Sequence, residues 1–179
     1  MSDASKTMLV VTAVGPDRPG LVKAMSSVIL GAGASLSDSR MAILGGEFAL
    51  LVLVEGAEAS LAKVEAATPA LERELGLKIV AKRTKAEAPR GGLRPYSIRV
   101  TGLDRPGIVH GVTDLLAARN INVAALESRV ANAPLTGTPM FVLDAKLQVP
   151  SEVALSELRR VLQALCDDEN LDFSLEPAG

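Results

Sequence analysis

The sequence contains no tryptophan, one tyrosine and three phenylalanines. A surface that stacks nucleic-acid bases needs exposed rings, so this scarcity argues against such a platform and leaves the core to aliphatic side chains. The single cysteine, Cys166, excludes an internal disulfide and suits a reducing compartment. Charge of one sign is also lacking. The formal net charge is −2 and the isoelectric point about 5.5, without the basic excess that phosphate binding requires, so direct nucleic-acid binding is not expected. Long apolar runs are missing too. The longest, FALLVLV (48–54), is far short of the roughly 20 residues that cross a bilayer, and no membrane segment is expected. The stretch MSDASKT has no basic segment followed by an apolar one, so no secretory leader is expected and the expected location is cytoplasmic.

Catalytic signatures are equally scarce. There is no phosphate-binding loop, CxxC, GxSxG, HExxH or dinucleotide fingerprint, so no catalytic residue, metal site or cofactor is expected. His110, the one histidine, is expected on a helix surface. The acidic run Asp167, Asp168 and Glu169 reads as a solvated helix end.

What is present is a repeat. GPDRPG (15–20) follows an apolar run and precedes an amphipathic one; GLDRPG (102–107) does the same 87 residues later. At that offset Leu21, Val22, Met25, Val28 and Ile29 meet Ile108, Val109, Val112, Leu115 and Leu116. Both sets have the spacing of one face of a helix. Each half then continues alike. Extended segments 33–44 and 47–54 flank Gly45-Gly46, a hairpin signal. Their counterparts, 121–131 and 140–149, flank a longer loop, 132–139. The Ser-Arg pair at 39–40 recurs at 128–129, displaced by a small insertion.

Second helices are expected over 60–75, with Leu61, Val64 and Leu71 inward, and over 151–169, with Leu155, Leu158, Leu162 and Leu165 inward. Pro69 is expected to kink or restart the first of these, and Ser151 to cap the second. Strands at 77–83 and 171–176 close the halves. The order β-α-β-β-α-β, twice, specifies an α+β protein made of two ferredoxin-like units, each an antiparallel sheet with its helices on one face. The boundaries are read as 1–83 and 96–179, joined by a charged, Pro- and Gly-rich linker at 84–95.

The repeated turn hands a strand to a helix. Pro19 and Pro106 fit a first helical turn, Asp17 and Asp104 suit capping, and Gly20 and Gly107 admit close approach to the backbone. A helix start beside glycines also holds anions such as a carboxylate. Arg18 and Arg105 are not required by turn geometry. They suit a carboxylate partner, a neighbouring Asp or bulk solvent.

With VVTAVGPDRPGLV, SDSRMAILGGEF and KIVAKRT read together, each half resembles an ACT domain. The resemblance implies amino-acid binding between ACT units, at the first turn and the start of the second strand. Carried over, those positions are Gly15, Pro16, Asp17, Arg18, Pro19, Gly20 and Leu21 with Ser35 and Leu36. In the second half they are Gly102, Leu103, Asp104, Arg105, Pro106, Gly107 and Ile108 with Asn122 and Val123. Asn122 matches the asparagine of amino-acid-binding members, whereas Ser35 departs from it, so the second repeat is expected to be the better pocket. The implied function is a non-catalytic amino-acid sensor acting through a protein partner, which on this chain's charge would be the DNA-binding one. A ligand-independent assembly module of paired ACT units, as a homodimer or within one chain, stands as the alternative.

Overall fold

A computed structural model of the chain describes residues 7–85, 91–132 and 137–178. The first repeat runs β1 (Thr7–Pro16), α1 (Leu21–Gly31), β2 (Ser35–Leu44), β3 (Glu47–Glu55), α2 (Glu58–Leu75) and β4 (Lys78–Lys85). The second runs β5 (Leu93–Leu103), α3 (Ile108–Ala117), β6 (Asn122–Asn132), β7 (Pro139–Pro150), α4 (Leu155–Glu169) and β8 (Leu171–Pro177). The sheets have the same order, β2-β3-β1-β4 and β6-β7-β5-β8, with every neighbouring pair antiparallel. The chain divides into two compact units between residues 88 and 89. Strand claims both ends of the expected linker, through Lys85 and from Leu93, while 86–90 lie outside the described residues.

Each core lies between one sheet face and its two helices. Phe48, Leu50, Val52 and Val54 alternate inward along β3, and Leu9, Val11 and Ala13 along β1, as period-two burial requires. Leu21, Met25 and Ile29 meet them from α1, and Leu61, Val64 and Leu71 from α2. The second core repeats the scheme with Ile98, Val100, Leu143, Leu147, Ile108, Val112 and Leu116. The buried helix stripe is narrower than the sequence spacing suggests. Val22 and Val109 are exposed, and Val28 and Leu115 pack only at the margin.

Three local expectations change. Pro69 does not interrupt α2, which is assigned as one helix. A residue there would normally donate to the Glu65 carbonyl; the Thr68 hydroxyl donates to it instead, at 2.8 Å, and replaces the bond that proline removes. Ser151 does not cap α4. β7 continues to Pro150, the Ser151 N–H donates to the Gly92 carbonyl at 2.7 Å, and the helix starts at Leu155 after an uncapped Ala154. Leu155 and Leu165 are accordingly half-buried, and the inward row becomes Leu158, Leu162 and Cys166. Burial pushes the Cys166 thiol pKa up, so it stays protonated and packs as a small apolar group.

The Gly45-Gly46 turn is as expected, with φ of 60° and 86°. Of the longer loop in the second half, residues 133–136 lie outside the described residues. Both second strands carry a register irregularity at the matching place, between Leu36 and Asp38 and between Val123 and Ala125.

One helix position departs from its twin. Gly111 in α3 corresponds to Ala24 in α1. A Cβ at Gly111 would sit 3.7 Å from Leu165 Cδ1, an ordinary contact. Gly111→Ala is expected to stabilise the second repeat by about 1 kcal/mol, seen as a higher urea midpoint at unchanged slope.

Candidate functional site

The repeated turn is first a clasp. The Asp17 N–H donates to the Gly46 carbonyl at 3.1 Å, and the Asp104 N–H to the Pro139 carbonyl at 3.3 Å, tying each turn to the next hairpin. Arg18 reaches the end of α2, where Nη2 donates to the Leu75 carbonyl at 3.1 Å and more weakly to Glu74. Arg105 does the same at α4, donating to the Glu169 carbonyl at 2.6 Å and pairing with the Glu169 carboxylate. A cation there meets the orphan carbonyls and the negative end of the helix dipole. The sequence offered these arginines a carboxylate, a neighbouring Asp or solvent; helix-end carbonyls take both instead, and Arg105 adds the Glu169 carboxylate.

The glycines divide the work differently from the sequence expectation. At Gly20 and Gly107 a Cβ would meet nothing, so no close approach is involved; their φ values of 97° and 99° are what require glycine. Close approach occurs instead at Gly15 and Gly102. A Cβ on Gly15 would lie 2.9 Å from Leu77 Cδ2 and 3.1 Å from the Gly76 carbonyl oxygen. On Gly102 it would collide with Leu171 Cδ2 and lie 3.2 Å from the Asn170 carbonyl oxygen.

Pro19 and Pro106 precede the N-caps, Gly20 and Gly107, and lie outside the helices. Asp17 and Asp104 make no cap bond, and neither helix has an acidic residue in its first turn. Among the described residues no side chain caps the N–H groups opening α1 and α3, and such groups suit an anion. Leu21 and Ile108 are buried in the cores, so only their backbone is presented, whereas Pro16 and Leu103 are exposed at their strand ends.

The second group of expected site residues lies elsewhere. Asn122 is level with Gln148 and Pro95 across the sheet, while Gly102 is level with Phe141, seven residues along β7. At about 3.3 Å per residue the two groups are roughly 20 Å apart within one unit. Ser35, level with Glu55 and Met8, stands in the same relation to Gly15. No single unit brings its turn and its second-strand start together.

Asn122 has a partner that the sequence reading missed. Its Nδ2 donates to Gln148 Oε1 at 2.7 Å, leaving one carbonyl acceptor and amide donors on the pair. The pair borders a cavity of about 470 Å³ lined also by Leu93, Ala117, Asn120 and Ile121. In the first repeat the corresponding level holds Ser35 and Glu55, a different chemistry. Leu36 is exposed and Val123 packs against the second core. The signal that would have found Gln148 is strand register, which a single sequence leaves open.

Ion pairs brace α2 against β4. Glu72 accepts from Lys78 Nζ at 2.9 Å and from the Ile79 N–H at 3.0 Å, and both bonds hold its carboxyl below the usual range. Arg83 grips Glu65 with two 2.8 Å bonds and lowers that carboxyl likewise. A depressed folded pKa adds stability above the unfolded value of about 4.3 and forfeits it as pH falls through the folded value. The first repeat's urea midpoint is therefore expected to hold down to about pH 5 and to fall modestly below about pH 4, since both pairs are screened by solvent. Glu65→Gln with Glu72→Gln flattens that slope.

Among the described residues no cluster of His, Cys, Asp or Glu suits a metal ion, and no helix is long and apolar enough to cross a membrane.

Comparison with known proteins agrees with this geometry. ACT domain models match residues 7–82 and 96–163. The glycine cleavage system transcriptional repressor of Escherichia coli K12 is 32% identical over 177 residues, covering 98% of this chain and 92% of that protein. Its Shigella flexneri counterpart matches equally. A crystal structure of an unknown protein from Galdieria sulphuraria superposes with a TM-score of 0.79 at 30% identity, covering 97% of this chain and all of that one. The chain belongs to the ACT domain family and carries two such domains in tandem, with an end-to-end likeness to the glycine cleavage system transcriptional repressor.

Proposed function

We propose that this protein is a non-catalytic, amino-acid-responsive regulator that acts through a protein partner in the cytoplasm. The observation that carries the reading is the end-to-end likeness to a transcriptional repressor, across both ACT domains. The near-neutral charge and the lack of base-stacking aromatics support indirect action, with DNA contact left to the partner. Because turn and strand start lie at opposite ends of a unit, the reading puts the ligand between the second units of two copies of the chain, at the turn of one and the strand start of the other. The free helix N–H groups take its carboxylate, and the Asn122–Gln148 pair takes its remaining polar groups.

A second reading, assembly without ligand, is favoured by one observation: every residue of β2 is exposed, which leaves a sheet edge open for pairing. Calorimetric titration of the full chain with glycine, serine and the other amino acids separates the two. The ligand reading expects saturable binding of at least one of them, weakened about tenfold or more by Asn122→Ala. Folded protein that gives no heat with any of them overturns it in favour of assembly.

A further inference from the structure

Each repeat carries an acid, a serine and an arginine in succession along its edge strand: Asp38, Ser39 and Arg40 in β2, Glu127, Ser128 and Arg129 in β6. In β2 the motif closes on itself, because Arg40 pairs with Asp38. In β6 it does not. Arg129 reaches to β7, where Nη1 donates at 3.2 Å to Asp144, an acid that Arg99 already holds at 2.6 Å. Glu127 is level with Asp144 on the same sheet face. Among the described residues its carboxylate has no partner, and Lys146, the next residue of β7 on that face, does not pair with it. Like charges directly opposite repel, so Glu127 wants a cation that its own unit does not supply. Every residue of β6 except Val123 is exposed, so the edge is open to one.

We propose that β6 pairs antiparallel with β6 of a second copy of this chain, about a two-fold axis at Ser128, so that one sheet continues through both copies. The register follows from the strand. The irregularity between Val123 and Ala125 leaves an even ladder over 125–132, with Ser128 at its middle. Pairing there sets Glu127 opposite Arg129 of the second copy and Arg129 opposite its Glu127. Leu126 and Val130, 37% and 52% exposed on the helix side, meet in the same crossed way, and two serines face each other at the axis. Each facing pair is complementary and occurs twice, as an isologous contact demands. Arg129 keeps Asp144 while it does so, because among the described residues only one of its five guanidinium donors is used. β2 is a poorer partner for itself. Its even ladder, 38–44, centres on Met41, which sets Arg40 opposite Ala42 and Asp38 opposite Leu44. The axis also bears on the ligand. Along β7, Ser128 is level with Leu143; the Asp104 N–H bonds to Pro139, four residues one way, and Asn122 is level with Gln148, five residues the other way. The two-fold thus carries the Asn122–Gln148 pair of one copy, along the strand direction, to the level of the repeated turn of the other. This last step rests on the amino-acid site proposed above; the pairing does not.

Sedimentation equilibrium of the full chain, free of ligand, tests the pairing. The wild type is expected at twice the 18.6 kDa chain mass. Glu127→Arg and Arg129→Glu, each with unchanged circular dichroism, are each expected to weaken the dimer about tenfold or more. An equal mixture of the two recovers it, since both facing charge pairs then attract. Val130→Lys serves the same purpose on the helix side if either charge variant misfolds. Asp38→Arg, on the β2 edge, leaves the dimer intact. A wild type that stays monomeric, or a dimer that ignores the β6 variants or comes apart with Asp38→Arg, overturns the proposal. Calorimetry separates it from the ligand reading. A dimer that follows these variants but gives no heat with any amino acid supports the pairing and overturns the ligand reading alone. A monomeric Glu127→Arg that binds an amino acid as tightly as the wild type overturns the placement of the site across the axis.

Discussion

Gly102→Val is expected to cost the second repeat about 3 kcal/mol or more, the largest effect of any substitution in the repeated turn. The position lies on the core side of β5, where a Cβ would collide with the buried Leu171 side chain. Moving that side chain does not solve the problem. The Asn170 carbonyl oxygen and the Leu171 Cα would stand 3.2 and 3.4 Å from the same Cβ, and they are backbone. Valine adds two methyls to that clash, so β8 must withdraw from the turn and loosen the end of α4 that Arg105 grips. Gly107→Ala, five residues on, meets no atoms and strains only the backbone, at about 1 kcal/mol. Hydrogen exchange distinguishes them: valine at 102 strips protection from β5 and β8, while alanine at 107 lowers it mildly. Equal effects would contradict the division of roles between the two glycines.

Leu61→Ala and Leu158→Ala are each expected to cost about 3 kcal/mol, in different halves of the chain. Both leucines are fully buried, one in α2 and one in α4. Each belongs to its own cluster of buried residues, and the clusters have no member in common. Truncating Leu61 leaves a cavity within the first core, whose members all belong to the first repeat. Amide exchange in β1 and β3 is therefore expected to quicken in Leu61→Ala while β5 and β7 keep their protection. Leu158→Ala gives the mirror result. Loss of protection throughout the chain in either variant would show the two cores to be one cooperative unit.

How much of this was legible beforehand follows from what is local. The alternation in EFALLVLV and the spacing of Leu21, Met25 and Ile29 are local, and they located strands, helices and cores in both halves. Local rules also erred where a distant or unexpected partner intervened. The Thr68 hydroxyl lets α2 run past Pro69, and the Gly92 carbonyl draws Ser151 into a turn ahead of α4. The candidate site depends more heavily on distance. Arg18 and Arg105 find carbonyls that lie at the far end of another helix, more than fifty residues along the chain. The separation of Asn122 from Gly102, and the pairing of Asn122 with Gln148, are consequences of strand register, which hydrophobic pattern does not encode.

The central proposal is an amino-acid site made by the second ACT units of two copies of the chain, from the turn Gly102–Ile108 of one and the strand start at Asn122 and Gln148 of the other. Amide-resolved NMR of the full chain, titrated with an amino acid that gives heat in calorimetry, tests it most directly. The account predicts shifts in the Gly102–Ile108 amides and in the Asn122 and Gln148 side-chain amides, all saturating at one Kd. Shifts confined to one end of the unit, or saturating at two different constants, would contradict it.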